Sequence, residues 1–144
     1  MWSHRWKYRG RRRVTVLDTC AIIFDALTPE RLSKKAERAI AKGEEQGRLA
    51  CSDISLWEIA MLVAKGRIDP GTDPQSFIRD ALAARSIQVI PINPEIAAMS
   101  AAHGEFSHFD PADRIIAATT LQCRGKLVTC DGHLQNIKGL PVIW

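Results

Sequence analysis

The sequence predicts an α/β fold, a sandwich of helices on both faces of a mainly parallel sheet with roughly five strands. Three observations carry this. Short β-favouring runs alternate with helical stretches of about ten or more residues, so the strands are joined by crossovers and neighbours run parallel. The first run, Val14-Thr15-Val16-Leu17, is apolar enough for burial on both faces and leads straight into Asp18. A chain of 144 residues with no internal repeat, no low-complexity core segment and no sign of a second domain is one folding unit, residues 14–144, long enough to fold without staples.

Taken in order, the strand over 14–17 is followed by a helix that includes Ala21-Ile22-Ile23-Phe24. A turn at Thr28-Pro29-Glu30-Arg31-Leu32 leads to Ser33, which caps a helix to about Gln46 with Ala36, Ala39 and Ile40 on its apolar face; Gly47 ends it. The second strand covers 48–51, and Ser52 or Asp53 caps a helix from Ile54 to about Lys65. Asp69-Pro70-Gly71-Thr72-Asp73-Pro74 is the strongest loop signal, and Pro74 opens a helix towards Arg85. The third strand spans 88–91. Asn93 before Pro94 caps a helix through Ala102, residues 103–109 form an irregular connector, and Asp110-Pro111 starts a helix ending near Cys123. Arg124-Gly125 breaks it, a fourth strand over 126–129 ends at Asp131, and 140–144 is a terminal fifth.

The net charge of +4 is unevenly spread. Residues 1–13 hold six of the 20 Lys and Arg and no acid, leaving 14 bases against 16 acids in the remainder. A basic extension with Trp2, Trp6 and Tyr8 interleaved can hold RNA phosphates and stack on bases. It is equally the mark of a poorly ordered leader or a mis-set start, because the folded pattern begins at Val14. No apolar run is long enough to span a bilayer, and the arginine-rich start lacks the apolar segment of a secretory signal, which points to the cytoplasm and away from membranes. Cys20, Cys51, Cys123 and Cys130 are scattered without a C-x-x-C pair, and are expected to be reduced, mostly buried, and not metal-binding.

The acids carry the chemistry. Asp18 and Asp131 follow the first and fourth strands, so in a parallel sheet both lie at the same edge, where ligands of open α/β sheets gather. Glu58 interrupts the apolar helix Ile54-Ser55-Leu56-Trp57-Glu58-Ile59-Ala60-Met61-Leu62-Val63 and shares a helical face with Ile54, Met61 and Leu62. A carboxylate on such a core-facing stripe is costly unless paired or bound to a metal. Asp113 lies in the first turn of a helix. Each has an ordinary explanation: Asp18 and Asp110 as caps, Glu58 as a partner of Arg114 or Lys65, Asp113 as a charge favoured by the helix dipole. Together they are harder to dismiss, because clustered carboxylates repel unless divalent cations lie among them. Oxygen donors without His or Cys suit Mg²⁺ or Mn²⁺, and one or two such ions in a carboxylate site are a device for cutting phosphodiesters.

The segments Leu17-Asp18-Thr19, Ser55-Leu56-Trp57-Glu58-Ile59-Ala60, Asp110-Pro111-Ala112-Asp113-Arg114-Ile115 and Leu127-Val128-Thr129-Cys130-Asp131 resemble the PIN-domain family, and more narrowly its VapC-like toxin ribonucleases of bacterial toxin–antitoxin pairs. The resemblance runs from Val14 to Trp144 in order and spacing. It implies a PIN-like α/β/α sandwich and a Mg²⁺- or Mn²⁺-dependent endoribonuclease acting on RNA. Asp18, Glu58, Asp113 and Asp131 become the acidic metal-binding tetrad. Thr19, Ser55, Asp110, Arg114 and Thr129 become supporting residues, Arg114 steadying an acid or touching RNA phosphate. It also implies a homodimer silenced by a cognate antitoxin protein whose tail lies over the acids.

Two other readings compete. A phosphatase with an aspartyl nucleophile also places Asp after its first strand, but needs another acid two residues on, where Cys20 stands. A PIN-like module that binds RNA or protein without cutting would keep the fold and lose the chemistry.

Overall fold

The computed structural model describes residues 13–102, 104 and 109–144. The basic extension up to residue 12 and most of the expected connector over 103–109 lie outside the described residues. Five strands, β1 (Thr15–Leu17), β2 (Leu49–Ser52), β3 (Gln88–Ile90), β4 (Lys126–Val128) and β5 (Val142–Ile143), form one sheet in the order β3-β2-β1-β4-β5. All four pairings are parallel, with Val16 opposite Ala50 on one side and Leu127 on the other.

The helices are α1 (Thr19–Leu27), α2 (Lys34–Glu45), α3 (Asp53–Ala64), α4 (Pro74–Ala84), α5 (Pro94–Ala101), α6 (Pro111–Gln122) and the short α7 (Gly132–Gln135). None of them is long and apolar enough to cross a membrane. Strand alternation divides the interior into two cores. Leu17, Leu49, Cys51 and Val128 point to one face, against Ala21 and Ile22 of α1, Ala36 and Ile40 of α2, Ile59 of α3 and Phe77 of α4. Val16, Ala50, Ile90 and Leu127 point to the other, against Ile96 of α5, Ile116 and Ala117 of α6 and Leu134 of α7. This is the expected three-layer arrangement, and it explains why Val16-Leu17, Leu49-Ala50-Cys51 and Leu127-Val128 are apolar on both faces.

Helix starts follow local chemistry. Ser33, Ser52, Asp73, Asn93 and Asp110 each accept a backbone N–H in the first turn of the helix they precede. Of the two caps proposed for α3, Ser52 is the one used. Residue 91 and most of the terminal segment stay outside their strands, and α7 is an added turn that the sequence pattern does not announce. The break after α6 divides its labour between two residues. Arg124 takes the left-handed conformation at φ 52°, and Gly125 allows close approach instead: a Cβ there would lie 2.5 Å from the Val14 carbonyl oxygen, which itself accepts the Lys126 N–H. Gly125→Ala is therefore expected to cost about 1–3 kcal/mol by pushing β1 and β4 apart, read as a lower urea midpoint. An unchanged midpoint would remove this steric role.

Candidate active site

The strand order creates one topological switch point. From β1 the chain runs outward through β2 and β3, then returns to place β4 on the other side of β1, so a crevice opens beyond the carboxyl ends of β1 and β4. A cleft of about 800 Å³ lies there. Asp18, Glu58, Asp113 and Asp131 all line it. The four acids singled out in the sequence thus arrive from the end of β1, the middle of α3, the first turn of α6 and the turn after β4.

Asp18 is 5% exposed and held on both oxygens. Oδ1 accepts the Thr19 N–H at 2.8 Å, so the capping explanation is true as far as it goes. Oδ2 accepts the Thr129 hydroxyl at 2.5 Å and lies 3.5 Å from the Cys20 thiol, which donates to it. Thr129 also accepts the Asp131 N–H at 3.0 Å, so one buried hydroxyl ties the acid after β1 to the turn after β4. Asp131 caps α7 through the His133 N–H.

Glu58 departs from the expected geometry. The fully or nearly fully buried line of α3 runs through Ser55 and Ile59, and Glu58 sits about 100° further round, facing the cleft beside Leu62 rather than the core. Its partner is neither Arg114 nor Lys65. The Thr19 hydroxyl lies 2.5 Å from Glu58 Oε1 and 2.9 Å from Ser55 Oγ. With one proton to give, Thr19 directs it to the carboxylate, and the Ser55 hydroxyl faces its lone pairs. Thr19 and Thr129 thus contact an acid directly, whereas Ser55 reaches Glu58 only through Thr19.

The supporting residues on α6 divide. Asp110 caps the helix by accepting the Asp113 N–H at 2.9 Å. Arg114 Nε instead donates to the Ser100 carbonyl at 2.9 Å, tying α6 to α5. Its neighbour Asp113 faces the cleft, and successive helical residues point about 100° apart. The ion pairs among the described residues, Arg85 with Asp25 and Glu44, lie away from these acids.

The acids share one electrostatic field. Burial raises the Asp18 carboxyl above its ordinary range, against the hydrogen bonds that favour its charge, and Asp131 adds to the rise. Glu58 is raised by burial and by Asp18 and Asp110, with the Thr19 hydrogen bond opposing. Asp113 is pushed up to about 7, by burial first and then by Asp110, Asp18, Asp131 and Glu58. Carboxyls raised by burial and by one another in a cleft are the mark of a candidate functional site. Among the described residues, however, no three Asp, Glu, His or Cys side chains stand together as a set able to hold an ion as they are.

The family profile of the PIN domain matches residues 15–140. The chain belongs to the PIN-domain family. A ribonuclease of Mycobacterium tuberculosis named VapC22 is 32% identical over 121 residues, 84% of this chain and 89% of that protein. A crystal structure of VapBC2 from Rickettsia felis bound to a promoter DNA fragment shares the fold at TM-score 0.64 and 16% identity, covering 90% of this chain and 96% of that one. A toxin–antitoxin complex from Klebsiella pneumoniae does so at TM-score 0.58 and 22% identity, covering 88% and 94%. This PIN domain is thus VapC-like.

Sequence reasoning missed the remaining lining of the PIN cleft. One wall is apolar, built by Ile23, Phe24 and Leu27 of α1 with Leu62 and Ile68, and Arg31 stacks its guanidinium 4.1 Å over the Phe24 ring. Cys20 and Cys130 also line it, against the expectation of cysteines used as small buried residues. The available signal was their spacing, two residues after Asp18 and one before Asp131.

Proposed function

We propose that this PIN domain is a metal-dependent endoribonuclease, the toxin of a toxin–antitoxin pair, acting in the cytoplasm. The observation that supports it most is the meeting of Asp18, Glu58, Asp113 and Asp131 in one cleft at the switch point of the sheet. The donor set suits Mg²⁺ or Mn²⁺: all oxygen, with three carboxyls raised by burial and then by neighbouring acids, so that a divalent cation would offset both costs. These four residues would hold one or two ions, binding having to draw the side chains together. A divalent ion there supplies activation of water and stabilisation of the leaving oxygen in phosphodiester hydrolysis.

The chain's own residues do the rest. Thr129 and the Thr19 N–H fix Asp18 from two sides, so its carboxylate is oriented before anything binds. Thr19 holds Glu58 by one oxygen, and Ser55 steadies the Thr19 hydroxyl in turn. Asp113 gives up its proton on binding, the carboxylate being the binding form. An antitoxin protein and a second copy of the chain are the protein partners in this reading; the antitoxin draws support from the toxin–antitoxin complex among the structural relatives.

Purified protein free of any partner is expected to cut single-stranded RNA in the presence of Mn²⁺ and to stop when EDTA is added. A second reading, a PIN-like module that binds RNA or protein without cutting, is favoured by the absence of a ready-made cage among the described residues. RNA that stays intact with Mn²⁺ while still binding the protein would establish that module and end the nuclease reading.

A further inference from the structure

The Cys20 and Cys130 sulfurs lie 3.2 Å apart, although 110 residues separate them in the chain. Cys20 is the second residue of α1 and half-buried; Cys130 follows β4 and is exposed. Their neighbours are the acids of the cleft: Asp18 Oδ2 is 3.5 Å from the Cys20 sulfur, and Asp131 is the residue after Cys130. Thr129 Oγ1 is 4.0 Å from the Cys20 sulfur. By contrast Cys51 is buried in the sheet and Cys123 ends α6, so neither lines the cleft.

We propose that Cys20 and Cys130 are a redox-modification site of the cleft, oxidised to an intramolecular disulfide by hydrogen peroxide, and that the disulfide disables the cleft. Peroxide first reaches Cys130, because that thiol faces solvent. One peroxide oxygen transfers to its sulfur and the other leaves as water, giving a sulfenic acid. The Cys20 sulfur then displaces the hydroxyl, which leaves as a second water. Two S–H bonds and one O–O bond are broken, one S–S bond and two O–H bonds are formed as the thiol protons pass to the two waters, and the pair loses two electrons to the peroxide. A thiol reductant reverses the change by exchange.

Geometry couples the bond to the acids. A disulfide has sulfurs about 2 Å apart, so the pair must close by roughly 1 Å. That movement falls on the first turn of α1 and the turn after β4, the segments that present Asp18 and Asp131 and are linked by the Thr129 hydroxyl. A misplacement of about 1 Å is enough to cost about a hundredfold in rate. In a reducing compartment a pair of this kind rests as thiols and responds transiently to oxidant.

The effect on cleavage rests on the nuclease reading, whereas the cross-link does not. After exposure of the full chain to hydrogen peroxide, peptide mapping is expected to show Cys20 joined to Cys130, with Cys51 and Cys123 still open to alkylation once the chain is unfolded. Hydrogen exchange should change across residues 17–20 and 129–133. RNA cleavage should fall by about a hundredfold and return with dithiothreitol. Cys130→Ser should cut as the parent does when reduced and ignore peroxide. Oxidation of Cys130 to a sulfinic acid without the linked peptide would overturn the proposal, as would a linked peptide with unaltered exchange and cleavage. Should the reduced protein cut no RNA, the nuclease reading falls, and mapping with exchange still decides the disulfide.

Discussion

Asp18→Asn is expected to reduce RNA cleavage by at least about a thousandfold while leaving the protein folded. The loss follows from removing a charged oxygen donor from the proposed metal site, worth several kcal/mol of transition-state stabilisation, at about 1.4 kcal/mol per tenfold in rate. The fold survives because Asn serves as well as Asp at a helix N-cap, so the Thr19 N–H keeps its acceptor. The new amide donates to Thr129 Oγ1, which turns from donor to acceptor. Stability should even rise in the absence of metal. Burial raises the Asp18 carboxyl, so ionising it costs the metal-free fold stability, and the neutral amide removes that cost. Melting followed by circular dichroism, beside cleavage with Mn²⁺, checks both parts. Cleavage at the parent's rate would remove Asp18 from the site, and a melting temperature well below the parent's would make it a structural residue.

The parts legible in the sequence were those decided locally. Ser33, Asn93 and Asp110 announce their helices because a cap acts within three residues, and strand-to-acid junctions place Asp18 and Asp131 at one edge of any parallel sheet. What depended on distant packing was not legible. The order β3-β2-β1-β4-β5 comes from which crossover covers which face, and it is this order that seats Cys130 against Cys20. Arg114 shows the limit within a single helix. An acid was the expected partner of Arg114, but one step round the helix from Asp113 turns it to Ser100. For Glu58 the shared face with Leu62 was read correctly, yet that face looks into a cleft, because α1 and α3 leave a gap there instead of closing the core.

The position of Asp113 predicts that metal binding and metal-free stability run in opposite directions with pH. Its carboxyl, pushed up to about 7 in the fold from an ordinary 3.8, keeps a proton that the unfolded chain has already released. The folded state therefore binds more protons between those values. The stability this contributes is fully present below about 3.8 and is lost as pH rises to about 7. Asp18 and Glu58, raised in the same direction, add to the trend. An ion reverses it, since it binds the deprotonated carboxylates and stabilises the folded state in proportion to the logarithm of its concentration over its dissociation constant. Without metal, the contribution of these groups makes the protein more resistant to heat near about pH 5 than near about pH 8. Mn²⁺ should raise the melting temperature strongly at the higher pH and hardly at the lower. Cleavage should fall as pH drops, by about tenfold or more per unit once protons outcompete the ion at the required carboxylates. Thermal scans at both pH values with and without Mn²⁺ measure the first effect, and a cleavage profile the second. An equal gain from Mn²⁺ at both would mean that the acids of the cleft do not hold the ion, since a bound cation and a retained proton compete for the same oxygens.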